Sequence, residues 1–199
     1  MNEPARADMR SREVLDFWFG APGDAVYLQT RPEWFRKVEA FDTAIDKRFR
    51  ALIDSALRGE LAAWAGQPHS AVAQIIVLDQ FTRNTRRGTA GMFSGDALAL
   101  AAARALCRGG ADRGLPGVFR QFAYLPFEHS EQIDDQREAL RLYAALGRDQ
   151  PALAGLLEWA QKHHDVVARF GRFPHRNVLL ARPSTADEAE FLKQPGSGF

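Results

Sequence analysis

Ser70-Ala71-Val72-Ala73-Gln74-Ile75-Ile76-Val77-Leu78-Asp79-Gln80-Phe81-Thr82-Arg83 is the most apolar stretch of the chain. Fourteen residues are too many for an ordinary buried strand. The absence of apolar–polar alternation points to a helix that is hydrophobic nearly all round, hence central and buried. A helix without a polar face needs other helices around it, and the flanking sequence supplies them. Upstream, Trp34, Val38, Phe41, Ile45, Phe49, Leu52, Ile53 and Ala56 recur at steps of three and four. This spacing predicts one long amphipathic helix over roughly 33–57, closed by Gly59. Val14, Phe17 and Trp18 mark a first helix that stops near Gly20, and residues 61–64 read as a short turn.

Downstream, a helix is expected from Ser94–Asp96, with Ser94 as N-cap, to Gly109–Gly110. The next spans about 115–124 and stops before Pro126. Another begins at Ser130, capped by its hydroxyl, with Glu131, Asp134 and Asp135 against the positive helix end, and closes at Gly147. Pro151 opens a helix that runs to Gly171. A short segment covers 174–180, and Thr185-Ala186-Asp187-Glu188 is a capping-box pattern for a last helix. The tail after Gln194 is expected to be loose or docked by Phe199. The fold class is therefore all-α, with antiparallel helix hairpins forming a tetratricopeptide-like superhelix or a bundle. No self-similarity at about 34 residues supports a regular array.

A chain of 199 residues, 46% hydrophobic and 26% charged, suits one helical domain over 1–199 with an ordered core at about 10–193. Cys107 stands alone, so no internal disulfide forms, and it reads as a small buried hydrophobe. The N-terminus mixes charge signs without an apolar segment, and no stretch looks long enough to span a bilayer. The expected location is the cytoplasm. A net charge of +1 argues for neither nucleic acid nor membrane as a partner. The cations are 22 arginines and 4 lysines; guanidinium suits bidentate anion recognition, although a compositional habit of the source genome explains the bias equally well.

Three segments could carry chemistry. In 78–88, Asp79 and Arg83 are four apart and can pair, while Asn84, Arg86 and Arg87 follow. The positive excess could line a pocket for a carboxylate or phosphate; the alternative is a structural ion pair beside a solvated loop. In 124–131, Glu128-His129-Ser130-Glu131 could hold a general acid or base at His129, or could simply cap a helix. In 163–177, Asp165 can pair with Arg169 one turn on, and Arg169, Arg172, His175 and Arg176 crowd a helix end and the loop beyond, before Asn177. That is more cation than capping of terminal carbonyls requires. His163 and His164 border an apolar stripe, so one of them should face inward. Being adjacent, they diverge by about 100° on a helix and lack the spacing of a metal-binding pair. No metal is expected. No cofactor is expected either, because the glycine-rich phosphate loops and the nucleophile elbow are missing.

These segments occur in a recognisable order. Val14-Leu15-Asp16-Phe17-Trp18-Phe19-Gly20, Trp34-Phe35, Leu78-Asp79-Gln80-Phe81-x-Arg83-Asn84, Leu125-Pro126-Phe127-Glu128-His129-Ser130-Glu131 and Arg169-Phe170-Gly171-Arg172-Phe173-Pro174-His175-Arg176-Asn177 resemble the bacterial domain-of-unknown-function family 924. The resemblance runs from Val14 to about Phe191. It implies an all-helical fold similar to tetratricopeptide-like superhelices, and it implies no activity. Thr82 stands where that family usually has proline, and Thr85-Arg86 where it has isoleucine-tyrosine, which puts any site needing an aromatic at position 86 in doubt.

Two readings of function follow, beside a third possibility in which the clusters are buried salt-bridge networks that take no ligand. In the first, the three segments converge on one cleft that binds, and could turn over, a small anionic molecule. Asp79, Arg83, Asn84, Arg169, Arg172, Arg176 and Asn177 would hold it; His129 and His175, oriented by Glu128, Asp165 or Asp79, would move protons. In the second, the chain is an interaction scaffold for a peptide, and its polar motifs are networks that hold helices in register.

Overall fold

The computed structural model describes residues 3–198, with side chains from Met9 onward; the expected docking of Phe199 lies outside the described residues. The described chain is helical without strands, so the all-α expectation holds. Its contacts group into two compact units, residues 3–87 with 91–126 and residues 88–90 with 127–198.

The first unit contains α1 (Glu3–Phe19), α2 (Glu39–Leu57), α3 (Pro68–Ile75), α4 (Thr82–Thr85), α5 (Asp96–Arg108) and most of α6 (Gly117–Glu128). As the periodicity predicts, this stretch is central: Val72, Ala73 and Ile75 of α3 and Ile76 and Val77 just after it are fully buried, and α1 and α5 pack against α3. Between α3 and α4 the backbone widens into a π-helical turn, Ile76–Phe81. Such a turn disturbs the regular ladder. Here the Thr82 hydroxyl donates to the Leu78 carbonyl (2.7 Å), and the Arg83 guanidinium donates to the Asp79 carbonyl (2.8 Å).

The predicted helix over 33–57 is two elements. Residues Pro32–Trp34 form a 3-10 turn, and α2 starts only after Val38, whose backbone is extended. The reason is tertiary. The Trp34 indole donates to the Trp18 carbonyl (3.2 Å) and stacks on Trp18 at 5.9 Å, so the turn is pulled onto α1. Trp18, Phe19, Trp34, Phe41, Phe81 and Phe122 then form one aromatic core, with ring centroids 4.8–5.9 Å apart between neighbours. A second buried link escaped the sequence reading: Tyr124 Oη donates to Asp112 (2.6 Å) and accepts from Arg120 (2.9 Å), tying the turn Ala111–Gly114 to α6.

Several other expected boundaries move. The N-cap of α5 is Gly95, and Ser94 instead donates to the Gly91 carbonyl (2.6 Å). The helix α6 continues through Pro126 to Glu128; a proline there removes one backbone donor, and the chain tolerates that within the last turn. The stretch Ala90–Arg108 has the length and mean hydropathy (1.2) of a membrane span, which the sequence reading had denied. The match is one of length and composition only, and 22% of the stretch is buried. Its buried stripe, Ala99, Ala102, Ala103 and Leu106, belongs to α5, which packs on α3.

The second unit consists of the end of α6, α7 (Ile133–Asp149), α8 (Leu156–Phe170) and α9 (Ala186–Phe191). The helices α7 and α8 pack against each other as a hairpin, and Val166, Val167 and Phe173 form a small core with Ile133, Phe170 and Phe191 around it. The helix α7 starts three residues later than expected and runs past Gly147. Ser130 is not its N-cap: its hydroxyl donates to Asp135 (2.7 Å). The helix α8 is preceded by a 3-10 turn, Pro151–Leu153. The capping box at Thr185 and Glu188 is formed in full.

The turn between α6 and α7 is held by one fully buried amide. Gln136 Nε2 lies 2.7 Å from the Glu128 carbonyl, 2.6 Å from that of Ser130 and 3.4 Å from that of Phe127. Gln136→Leu keeps the volume but strands these acceptors. It is expected to cost about 1–3 kcal/mol, read as a fall of about 2–4 °C in Tm per kcal/mol; an unchanged melt would mean the amide does not hold this turn.

Candidate functional site

The first motif lies in the first unit, and its cations are matched there. Arg83 is 2.9 Å from Asp79 and chelates Asp96 at 2.9 and 3.2 Å. Asn84 donates to Asp42 (2.6 Å), which also takes Arg87 (2.8 Å), and Arg86 reaches Asp54 (3.2 Å). The expected cationic surplus is thus corrected: carboxylates on α2 and α5, distant in sequence, neutralise it. Beside this network, Asp46, Arg50, Ile53, Asp54, Thr85 and Arg86 line a cleft of about 220 Å³. Its acids and arginines pair as Asp46–Arg50 and Asp54–Arg86.

The second and third motifs meet inside the second unit, around the Phe173 ring. Glu131 is the anchor. Its carboxylate accepts the Phe173 backbone N–H (2.8 Å) and chelates Arg182 at 2.7 and 2.9 Å. Arg182 also donates to the Phe173 carbonyl and to Asn177. The residue before it, Ala181, sits at φ +51°, a costly conformation for a residue with a Cβ. Arg176 places its guanidinium 4.6 Å above the Phe173 ring and donates to the His129 carbonyl (2.9 Å).

The imidazoles gather here. His163 Nδ1 lies 2.9 Å from the Trp159 carbonyl and 3.0 Å from buried Glu128. With two acceptors facing it, that nitrogen carries the ring proton. The His163 ring centroid is 6.2 Å from that of His129 and 5.6 Å from that of Phe173, which in turn is 5.6 Å from His175. Burial, with the nearby histidines and Arg176, pushes His163 down to about 3. Burial and then Arg176 push His175 down to about 4, against the opposing pull of Glu131. Both rings are therefore neutral near pH 7. His129 and His175 are only half buried, whereas Glu128 and His163 are buried behind them.

Other expected site residues lie elsewhere. Arg172 chelates buried Glu188 at 2.6 and 2.7 Å and donates to the Pro183 carbonyl, and Asn177 donates to Glu188 and Ser184. The Arg172 hydrogen bond comes first among the causes that bring Glu188 down to about 2. Arg169 is exposed and stacks on Phe170 at 4.6 Å. Asp165 is exposed too, bonded by Gln161 (2.7 Å) and beside His164 (3.2 Å) on the same helix, so it orients neither His129 nor His175. Sequence reading missed Arg182 altogether and saw Glu188 only as a cap. His163 did carry a signal, its place on the apolar border of α8. Among the described residues no three His, Cys, Asp or Glu side chains are arranged to hold a metal ion.

Comparison with known proteins adds a family and a relative. The model of a bacterial family of unknown function, DUF924, matches residues 14–196. A solved structure of a protein of unknown function from Agrobacterium tumefaciens is 39% identical, with a TM-score of 0.81 over 94% of this chain and 98% of that one. No curated protein matches.

Proposed function

Because the chain belongs to the DUF924 family, and that membership carries no activity, we propose from its own residues that it is a cytoplasmic protein that binds a small anionic molecule, a carboxylate or phosphate, at the rim of the second unit where His129, His175 and Arg176 meet, with proton transfer by the histidines. The supporting observation is a chain of contacts between segments far apart in sequence: His163 and His175 lie against the Phe173 ring, and His129 and Glu128 lie against His163. Helix packing alone asks for no such concentration of titratable groups.

Thermal shift against phosphorylated and carboxylated metabolites tests the reading. A ligand at about a hundred times its Kd adds about 2.7 kcal/mol, or about 5–10 °C here. The expected result is such a rise with at least one anion and its loss in His175→Ala. A panel that leaves Tm unmoved, or a rise identical in His175→Ala, would defeat it. A second reading, a tetratricopeptide-like scaffold for a peptide, is favoured by Trp159, which is 54% exposed with Lys162 4.2 Å over its ring. Under that reading Trp159→Ala loses a partner and anions change nothing.

A further inference from the structure

The rim histidines are set among a balanced number of opposite charges. His175 and Arg176 lie against the same Phe173 ring, at 5.6 and 4.6 Å, and the Phe173 backbone bonds Glu131 and Arg182. Behind them stand His163 on α8 and Glu128 at the end of α6. Two guanidiniums face two carboxylates, and both carboxylates have assigned partners: Glu131 chelates Arg182, and Glu128 lies against His163. With neutral imidazoles the group is close to electroneutral. An anion arriving at the rim leaves it one negative charge or more in excess, in surroundings too buried for water to screen that charge fully.

We infer that the anion is bound together with a proton, and that His175 is the residue that takes it. This inference rests on the ligand reading above. The chemistry is linkage: a bound anion favours the charged imidazolium, so the protonated ring favours the anion by the same factor. The Arg176 and Arg182 charges that oppose protonation of the empty site are offset once an anion lies beside them. Burial holds the ring down to about 4 while the site is empty, so the proton arrives with the ligand rather than before it. The same event turns a neutral acceptor into a proton donor pressed against the anion, as general acid catalysis on a carboxylate or phosphate ester requires. His129 is also half buried, but its carbonyl is fixed by Arg176 (2.9 Å), and it sits one contact nearer the Glu128–His163 pair.

Sulfate is the probe, because its own charge does not change between pH 5.5 and 7.5. Affinity measured by NMR shift perturbation is expected to rise as pH falls over that range, by up to about tenfold per unit for one coupled proton. In the wild-type protein the His175 ring resonances should show its titration moving to higher pH when sulfate is added, which needs no variant to fold. His175→Gln should bind sulfate more weakly than the wild-type protein, with a flat pH profile. A flat wild-type profile, a His175 titration unmoved by sulfate, or a slope surviving in His175→Gln would overturn the inference. If metabolites still raise Tm in that case, the ligand reading stands and only the proton coupling falls. If neither sulfate nor any metabolite binds at any pH, both fall together.

Discussion

Gly95→Ala is expected to be among the most damaging single-methyl changes in the first unit, lowering stability by about 3 kcal/mol or more. A Cβ built on Gly95 would overlap the Leu78 carbonyl oxygen, and it would fall 2.8 Å from the carbonyl carbon and 3.1 Å from the Leu78 Cα. All three atoms are backbone, so no side chain can swing aside. The Leu78 carbonyl is also committed, because the Thr82 hydroxyl donates to it at the π-helical turn. Relief requires the start of α5 to move away from α3 and its continuation, along a seam that includes fully buried Ala99 and Ala103. The backbone itself would accept alanine, since Gly95 sits at φ −94°, ψ −9°; the penalty is steric contact alone. Gly109→Ala is the matched control. It has a similar φ of −93° with nothing within 4 Å, and should change stability by less than about 1 kcal/mol. Urea melts of the two variants settle the point: equal midpoints would show that the close approach at Gly95 does not exist.

The second large effect is acid destabilisation that begins well above the carboxylate range. His163 and His175 have folded values of about 3 and about 4, below the ordinary imidazole value of 6.5. As pH falls through about 6.5, the unfolded chain takes up protons that the folded rings refuse, so stability declines. Each ring contributes a slope of about 1.4 kcal/mol per pH unit, about 2.7 for the two together, until its folded value is reached. Glu188 acts later. Its folded value of about 2 lies below the ordinary 4.5, so the stabilisation it contributes is complete above about 4.5 and is lost as pH falls toward 2. Denaturant melts at pH 7.5, 6 and 5 should therefore show a steady loss, and the His163→Gln, His175→Gln double variant should be nearly flat across the same range. A wild-type profile that is flat from pH 7.5 to 5 would mean the rings protonate freely in the folded state.

Much of the first unit is legible in the sequence because burial there follows helical period. The stripe from Phe41 to Ala56 is buried at the positions the spacing picks out, and the stretch from Val72 to Phe81 has almost no exposed face. Where the sequence misleads, a distant contact outweighs the local pattern. Trp34 has the right spacing to extend α2, but its indole is held by the Trp18 carbonyl. Ser94 has the right chemistry for a cap, but the helix begins where only a hydrogen fits against Leu78. The arginine motifs mislead for the same reason. The surplus around Arg83 vanishes because Asp42 and Asp96 arrive from other helices, and Arg172 is neutralised by Glu188, sixteen residues on.

Residue order and type settle that the described chain is helical, where its central helix lies, and that Glu128, His129, His175 and Arg176 are unusual. Periodicity and capping are properties of near neighbours, and near neighbours can be read along a line. Which guanidinium finds a carboxylate, which histidine is kept neutral and which residues share the Phe173 ring are decided by distance in space. Electrostatic energy and burial depend on that distance and not on separation along the chain. His163 is the clearest instance: one of two adjacent histidines in the sequence, it becomes the partner of Glu128 only once α6 and α8 bring them to 3.0 Å.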